Sequence, residues 1–144
     1  MSWKPELLAI VLAVIFGAAI GWERQVHGKA AGLRTNILIC LGAALFTILS
    51  RCMAGPNDSL TRIAAQIVSG VGFLGAGAII QDRGGIHGLT TAATIWLVAS
   101  IGVACGAERF ELASVTTLIA LIVLLGLRPI ERRSRTSTKE PHES

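Results

Sequence analysis

No Asp, Glu, Lys, Arg or His lies in the middle of any long apolar run of this sequence. Coupled carriers usually place an acid or a base in their pathway, so that class loses its commonest signature. Charge is scarce altogether. Asp, Glu, Lys and Arg make up 15% of the residues, against about a quarter in a soluble domain. The three cysteines, Cys40, Cys52 and Cys105, form no C-x-x-C pair and no zinc spacing. They read as free thiols, with a Cys52–Cys105 disulfide near two helix ends as the lesser alternative. Ser69 and Ser100 lie in apolar runs without a base beside them. Nucleophilic catalysis therefore has no visible machinery, and the sequence points to neither an enzyme nor a cofactor.

What is present is apolar. Hydrophobic residues are 52% of the 144 and the mean hydropathy is +0.64. Such a chain is an integral membrane protein, with room for one domain. Its net charge of +4 needs no nucleic acid, because a basic cytoplasmic side gives the same number. No Lys/Arg cluster with a small-residue cleavage site opens the chain, so its first apolar run is expected to be a retained span.

The stretch that organises the chain is Ile63 to Ile80, 18 residues without a formal charge after Arg62. It is long enough to cross most of a ~30 Å bilayer core. It holds Gly70, Gly72, Gly75 and Gly77. Gly70-x-Gly72-x-x-Gly75 copies a dinucleotide fingerprint, but no strand precedes it. In lipid, glycines inside a helix instead let neighbouring helices approach closely. Gln66, one turn in from Arg62, wants a hydrogen-bond partner there.

Four further runs complete the pattern. Leu7–Trp22 carries Gly17-x-x-x-Gly21, a helix-packing spacing. Thr35–Leu49 follows the charged connection that holds Glu23, Arg24, His27, Lys29 and Arg34. A turn around Gly55-Pro56-Asn57-Asp58 leads to the glycine run, and Gln81–Gly88 turns the chain back. Leu89–Cys105 opens with Thr90, Thr91 and Thr94, whose hydroxyls can return to their own helix. Its Trp96 sits at mid-depth, where an indole N–H wants an acceptor. Leu112–Leu127 is the last run. The expected fold is an all-α bundle of about five transmembrane helices over 1–129. A basic, disordered tail over 130–144 follows.

Five spans place the termini on opposite sides. Lys4, Arg51, Arg62 and Arg109 fall on one side, four in all, and the other nine Lys and Arg on the other. The positive-inside rule then puts the N-terminus outside and the C-terminus in the cytoplasm. The polar residues gathered at the inner ends are Glu23, Arg24, Arg34, Thr35, Asn36, Asp82, Thr90 and Thr91, with His87 nearby. Charges at that depth either fix helix register or form a functional site. His27 and His87 read as loop residues.

Several segments together carry a resemblance. They are Gly21-Trp22-Glu23-Arg24-Gln25, Ala31-Gly32-Leu33-Arg34-Thr35-Asn36, Arg62 through Gly77, and Gly88-Leu89-Thr90-Thr91-Ala92-Ala93-Thr94-Ile95-Trp96. In that order the chain resembles the membrane domain of the magnesium-transporter-C family (MgtC/SapB). The resemblance implies a bacterial inner-membrane protein tied to growth in low magnesium and, in pathogens, to survival inside host cells. It implies a regulatory role before a transport one. Longer members carry a soluble C-terminal domain of the ACT-like type. Glu23, Arg34, Asn36 and the Gly70–Gly77 set lie on the family motif.

Two functions stay open. One is a membrane regulator acting by helix–helix contact with another membrane protein or with itself. The small-residue faces at Gly17, Gly21, Gly70, Gly72, Gly75 and Gly77 motivate it. The other is a magnesium carrier or channel using Glu23 and Asp82, since Mg2+ asks for oxygen ligands, usually including a carboxylate.

Overall fold

The computed structural model describes residues 3–54, 61–82 and 85–127. Five helices account for most of them: α1 (Trp3–Val26), α2 (Leu33–Met53), α3 (Thr61–Gly77), α4 (Leu89–Gly106) and α5 (Phe110–Gly126). Each apolar run holds a helix, most of them extended by up to four residues at an end; the glycine run is the exception, its helix stopping at Gly77 and its last residue, Ile80, joining a strand. The expected tail and the Gly55–Asp58 turn lie outside the described residues. The Gln81–Gly88 turn is more than a turn. It belongs to a small antiparallel hairpin, β1 (Ile80–Asp82) with β2 (Gly85–His87). Alternation over three residues is too short a pattern to announce a strand.

Helices α1, α2 and α4 are long and apolar enough to cross a membrane, with mean hydropathies of 2.0, 1.8 and 1.7. At 17 residues each, α3 and α5 reach about 25 Å, at the short limit for a span. The large apolar side chains point outward, among them Leu38, Phe46, Phe73, Leu118 and Ile122. The core is rich in smaller residues, among them Ala9, Ala13, Cys40, Ala44, Ala99, Cys105 and Ala113, with Ile20 and Ile101 its largest fully buried apolar side chains. That inversion fits a lipid solvent. Apolar residues gain nothing by leaving lipid, so helices associate through close packing of small residues.

Helix α2 is the centre of the bundle and is gripped from two sides. On α1, a methyl group added at Gly17 would sit 2.9 Å from the Asn36 carbonyl oxygen, and one at Gly21 would sit 2.8 Å from Leu33 Cα. On α4, a methyl at Gly102 would run into the Cys40 carbonyl oxygen. One at Gly106 would sit 2.5 Å from the Ala44 carbonyl oxygen. Both seams are therefore glycine pairs spaced four apart, with backbone against backbone. Helix α5 closes over α1 and α4, while α3 leans chiefly on α4 and touches α2 lightly.

Two tight helix ends fix the connections. Gly28 takes the left-handed conformation (φ 63°) just after α1. Its N–H donates to Gln25 O, and that of Lys29 to Arg24 O, the double bond of a Schellman end. The same pair of bonds ends α4, from Glu108 to Cys105 and from Arg109 to Ala104. There the left-handed residue is Glu108 (φ 59°), where glycine is usual. Arg51 holds it in place, pairing with Glu108 at 2.7 Å and donating to Gly106 O at 2.9 Å.

Candidate functional site

The end of the bundle where α1 hands over to α2 buries four polar side chains. Relative exposures are 5% for Glu23, 2% for Arg24, 0% for Asn36 and 4% for Thr91. The α1 end carries Glu23 and Arg24 one turn before the Gly28 cap, while α2 starts with Asn36 one turn inside. Thr91 comes from the first turn of α4. Three helices thus converge on one polar knot.

Its contacts are mostly internal. Arg24 Nη2 donates to Thr91 Oγ1 at 3.3 Å, tying α1 to α4. Arg24 Nη1 lies 3.7 Å from Glu23 Oε2. His27, one turn on, places Nδ1 2.6 Å from the Glu23 carbonyl oxygen and 3.0 Å from Glu23 Oε1. Both neighbours are acceptors, so Nδ1 carries the proton. A carboxylate out of water needs this kind of company, because a lone buried charge costs several kcal/mol.

Asn36 does a different task. Its Nδ2 donates to Ala31 O and Gly32 O, both at 2.8 Å. This pins the incoming connection to the first turn of α2. Gly32 has no side chain to cap that helix, and Gln25 Oε1 accepts from Leu33 N at 3.2 Å instead. Asn36 Oδ1 is buried and has no hydrogen-bond partner among the described residues. Its amide is held by one end.

The sequence-selected residues divide here. Glu23, Arg24 and Thr91 meet directly, and Asn36 is buried in the same end. Arg34, Thr35 and Thr90 are exposed. The side chain of Asp82 lies outside the described residues. His27 lies in the turn after α1, as expected of a loop residue, yet it is a partner of Glu23; its spacing of four from Glu23 was the available signal. Thr94 behaves as its residue type suggests, donating to Thr90 O at 2.7 Å, whereas Thr91 turns to Arg24. Trp96 is half exposed on the outer face of α4. All three thiols are free, with Cys40 and Cys105 buried and Cys52 exposed. Among the described residues no three of His, Cys, Asp and Glu come together as a metal-binding group.

A second feature lies away from this knot. Between α2 and α3 runs an apolar cleft of about 510 Å³. Leu38, Gly42 and Phe46 form one wall, and Gln66, Gly70 and Leu74 the other. The glycines of α3 differ from those of α1. A methyl group at Gly75 would lie 3.6 Å from the Ala92 carbonyl oxygen of α4, in ordinary contact, but methyl groups at Gly70, Gly72 and Gly77 would meet nothing within 4 Å among the described residues, and the same holds for Gly42. The close packing that Gly42, Gly70, Gly72 and Gly77 permit is not used by the described helices.

A model of the MgtC family matches residues 10–133. Protein MgtC of Brucella abortus (strain 2308) is 46% identical over 133 residues, covering 90% of this chain and 56% of the relative. Protein MgtC of Salmonella typhimurium (strain LT2) is 50% identical over 133 residues, covering 92% and 57%. An uncharacterised Synechocystis protein is 43% identical over 130 residues, covering 90% and 55%. The chain spans little more than half the length of these relatives. No solved structure matches it.

Proposed function

The chain belongs to the MgtC family, and from that premise we propose that it is a small regulator in the bacterial inner membrane, serving adaptation to low magnesium through helix–helix contact. In this reading all five helices cross the bilayer, with the N-terminus outside. One observation carries it. The glycines of α1 and α4 are consumed within the bundle, while Gly42, Gly70, Gly72 and Gly77 leave a small-residue surface along α2 and α3 that no described residue covers. In lipid such a surface gains by meeting another helix. The buried charges support the same reading, because Glu23 and Arg24 already bind His27 and Thr91 and so hold the bundle's register.

A magnesium carrier is the second reading. What favours it is a pair of oxygen donors at one end, the Glu23 carboxylate and Asn36 Oδ1, the latter without a partner among the described residues. Hard oxygen ligands are what Mg2+ requires. The 3.7 Å Arg24 guanidinium beside that carboxylate opposes a second cation there. Magnesium flux into proteoliposomes separates the readings, with empty liposomes as control. The regulator gives no flux above control. Saturable uptake that disappears in Glu23→Gln overturns it.

A further inference from the structure

We propose that the β1–β2 hairpin stands upright in the lipid headgroup layer, as an interfacial anchor whose partner is the membrane surface. This rests on the reading that α3 and α4 cross the bilayer.

The hairpin begins where α3 runs short. The uncharged stretch Ile63–Ile80 continues three residues past Gly77, the end of α3, and its last residue opens β1. A helix of 17 residues reaches about 25 Å. The last part of a ~30 Å hydrocarbon core therefore falls to Ala78, Ile79 and Ile80. The base of the hairpin is fixed to the bundle. Gly88 is left-handed (φ 88°), and a methyl group there would run into the Ala78 carbonyl oxygen. The next residue, Leu89, opens α4. In the same turn Thr91 accepts from Arg24 at the end of α1. The hairpin thus projects from the level at which buried charge begins.

Polarity changes along the hairpin, not across it. At the base Ile80 pairs with His87, next Gln81 with Ile86, and at the far end Asp82 with Gly85. Arg83 and Gly84 join the strands in sequence. Ile80 is 63% exposed, and Ile86 and Leu89 are each 57% exposed. Adjacent pairs point to opposite faces of a sheet, so Ile80 and Ile86 lie on opposite faces. Neither face is the polar one, and a hairpin lying flat would leave one isoleucine in water. Apolar residues near the base and charge at the tip suit an element standing along the membrane normal. Three residues at ~3.3 Å each span about 10 Å, comparable with the ~5–8 Å of one headgroup layer.

Two costs select the occupant. In water the isoleucines stay exposed, and a lone two-stranded hairpin is marginal. In hydrocarbon the outer edges of both strands, unpaired among the described residues, would leave N–H and C=O groups unsatisfied. The headgroup layer removes both costs. Water reaches the edges there, and the acyl boundary takes Ile80, Ile86 and Leu89. His87, with an apolar ring and polar nitrogens, suits the same depth. Lys29 and Arg34, exposed at the same end of the bundle, add attraction for anionic headgroups.

Depth-dependent quenching tests this with the full chain, in vesicles of phosphatidylethanolamine and phosphatidylglycerol. A Cys52→Ser background leaves only the buried Cys40 and Cys105. An environment-sensitive dye is placed on Ile86→Cys or, from the other face, on Ile80→Cys. Lys29→Cys in the exposed connection is the aqueous reference. Val68→Cys, half-exposed in the middle of α3, is the hydrocarbon reference. Iodide on both sides of the membrane reads access to water, and nitroxides at graded depths on the acyl chain read lipid. At both hairpin positions the expected result is a blue-shifted emission and the loss of most iodide quenching, relative to Lys29→Cys. The shallowest nitroxide should quench them most, and the deepest should quench Val68→Cys most. Iodide quenching at the hairpin equal to that of Lys29→Cys overturns the proposal. So does strongest quenching there by the deepest nitroxide. Protection from iodide and from every nitroxide also overturns it, because a protein then covers the hairpin. A hairpin in water with Val68→Cys in hydrocarbon refutes the anchor alone. Val68→Cys in water refutes the crossing of α3, and the anchor with it.

Discussion

Replacing Gly102 with alanine puts a methyl group where α4 meets α2 most closely. The new Cβ would run into the Cys40 carbonyl oxygen and stand 2.9 Å from Ala43 Cβ. Neither neighbour is the end of a flexible side chain. Backbone must move, and Cys40 and Ala43 also face α1 and the second core cluster. Overpacking of this kind typically costs about 1–3 kcal/mol, which is roughly five- to 150-fold in the unfolding equilibrium at ~1.4 kcal/mol per tenfold. Gly72→Ala is the matched control. It adds the same methyl to a helix of the same bundle and meets nothing within 4 Å. Unfolding by denaturant in mild detergent, followed by tryptophan emission, measures both. The expected result is a lowered midpoint for Gly102→Ala and a midpoint at or above wild type for Gly72→Ala. Equal midpoints for the two variants would refute the claim that the α2–α4 seam is backbone against backbone.

Other variants probe the polar end and the thiols. Arg24→Leu leaves Glu23 buried beside a lost cation and should destabilise the bundle by about 3–5 kcal/mol. The double variant Glu23→Gln/Arg24→Leu should be less damaged than the sum of the two singles, which a thermal-unfolding cycle reports. Asn36→Ala removes the two bonds to Ala31 O and Gly32 O and should cost about 1–3 kcal/mol, read as a lower unfolding midpoint. A maleimide should label Cys52 in the folded protein, and Cys40 and Cys105 only after unfolding, because both are buried; mass spectrometry counts the adducts.

Much of the architecture was legible in residue patterns, for physical reasons. Uncharged runs locate the helices because lipid excludes charge and forces backbone bonds to close locally. Gly17-x-x-x-Gly21 marks the α1–α2 seam because nothing larger fits there. The same spacing at Gly102 and Gly106 was there to be found and marks the second seam. What a pattern cannot tell is which glycines the chain uses itself. Gly17 and Gly70 look alike in sequence, yet one is pressed against Asn36 and the other is open. Likewise Thr90 and Thr91 are neighbours, but a helix turns 100° between them, so only Thr91 reaches Arg24. The cluster at the α1–α2 end was visible as a set of residue types. Its division into buried and exposed members depends on helix phase relative to α4, which no single run contains.

The measurement closest to the central claim is growth in low magnesium of a bacterium lacking its own copy, complemented by this chain or by its Gly70→Leu variant at equal membrane abundance. A methyl group at position 70 would meet nothing within 4 Å among the described residues, and leucine there closes the face that contact requires. The account predicts that the wild-type chain restores growth and that the folded variant does not. Full restoration by Gly70→Leu would contradict it.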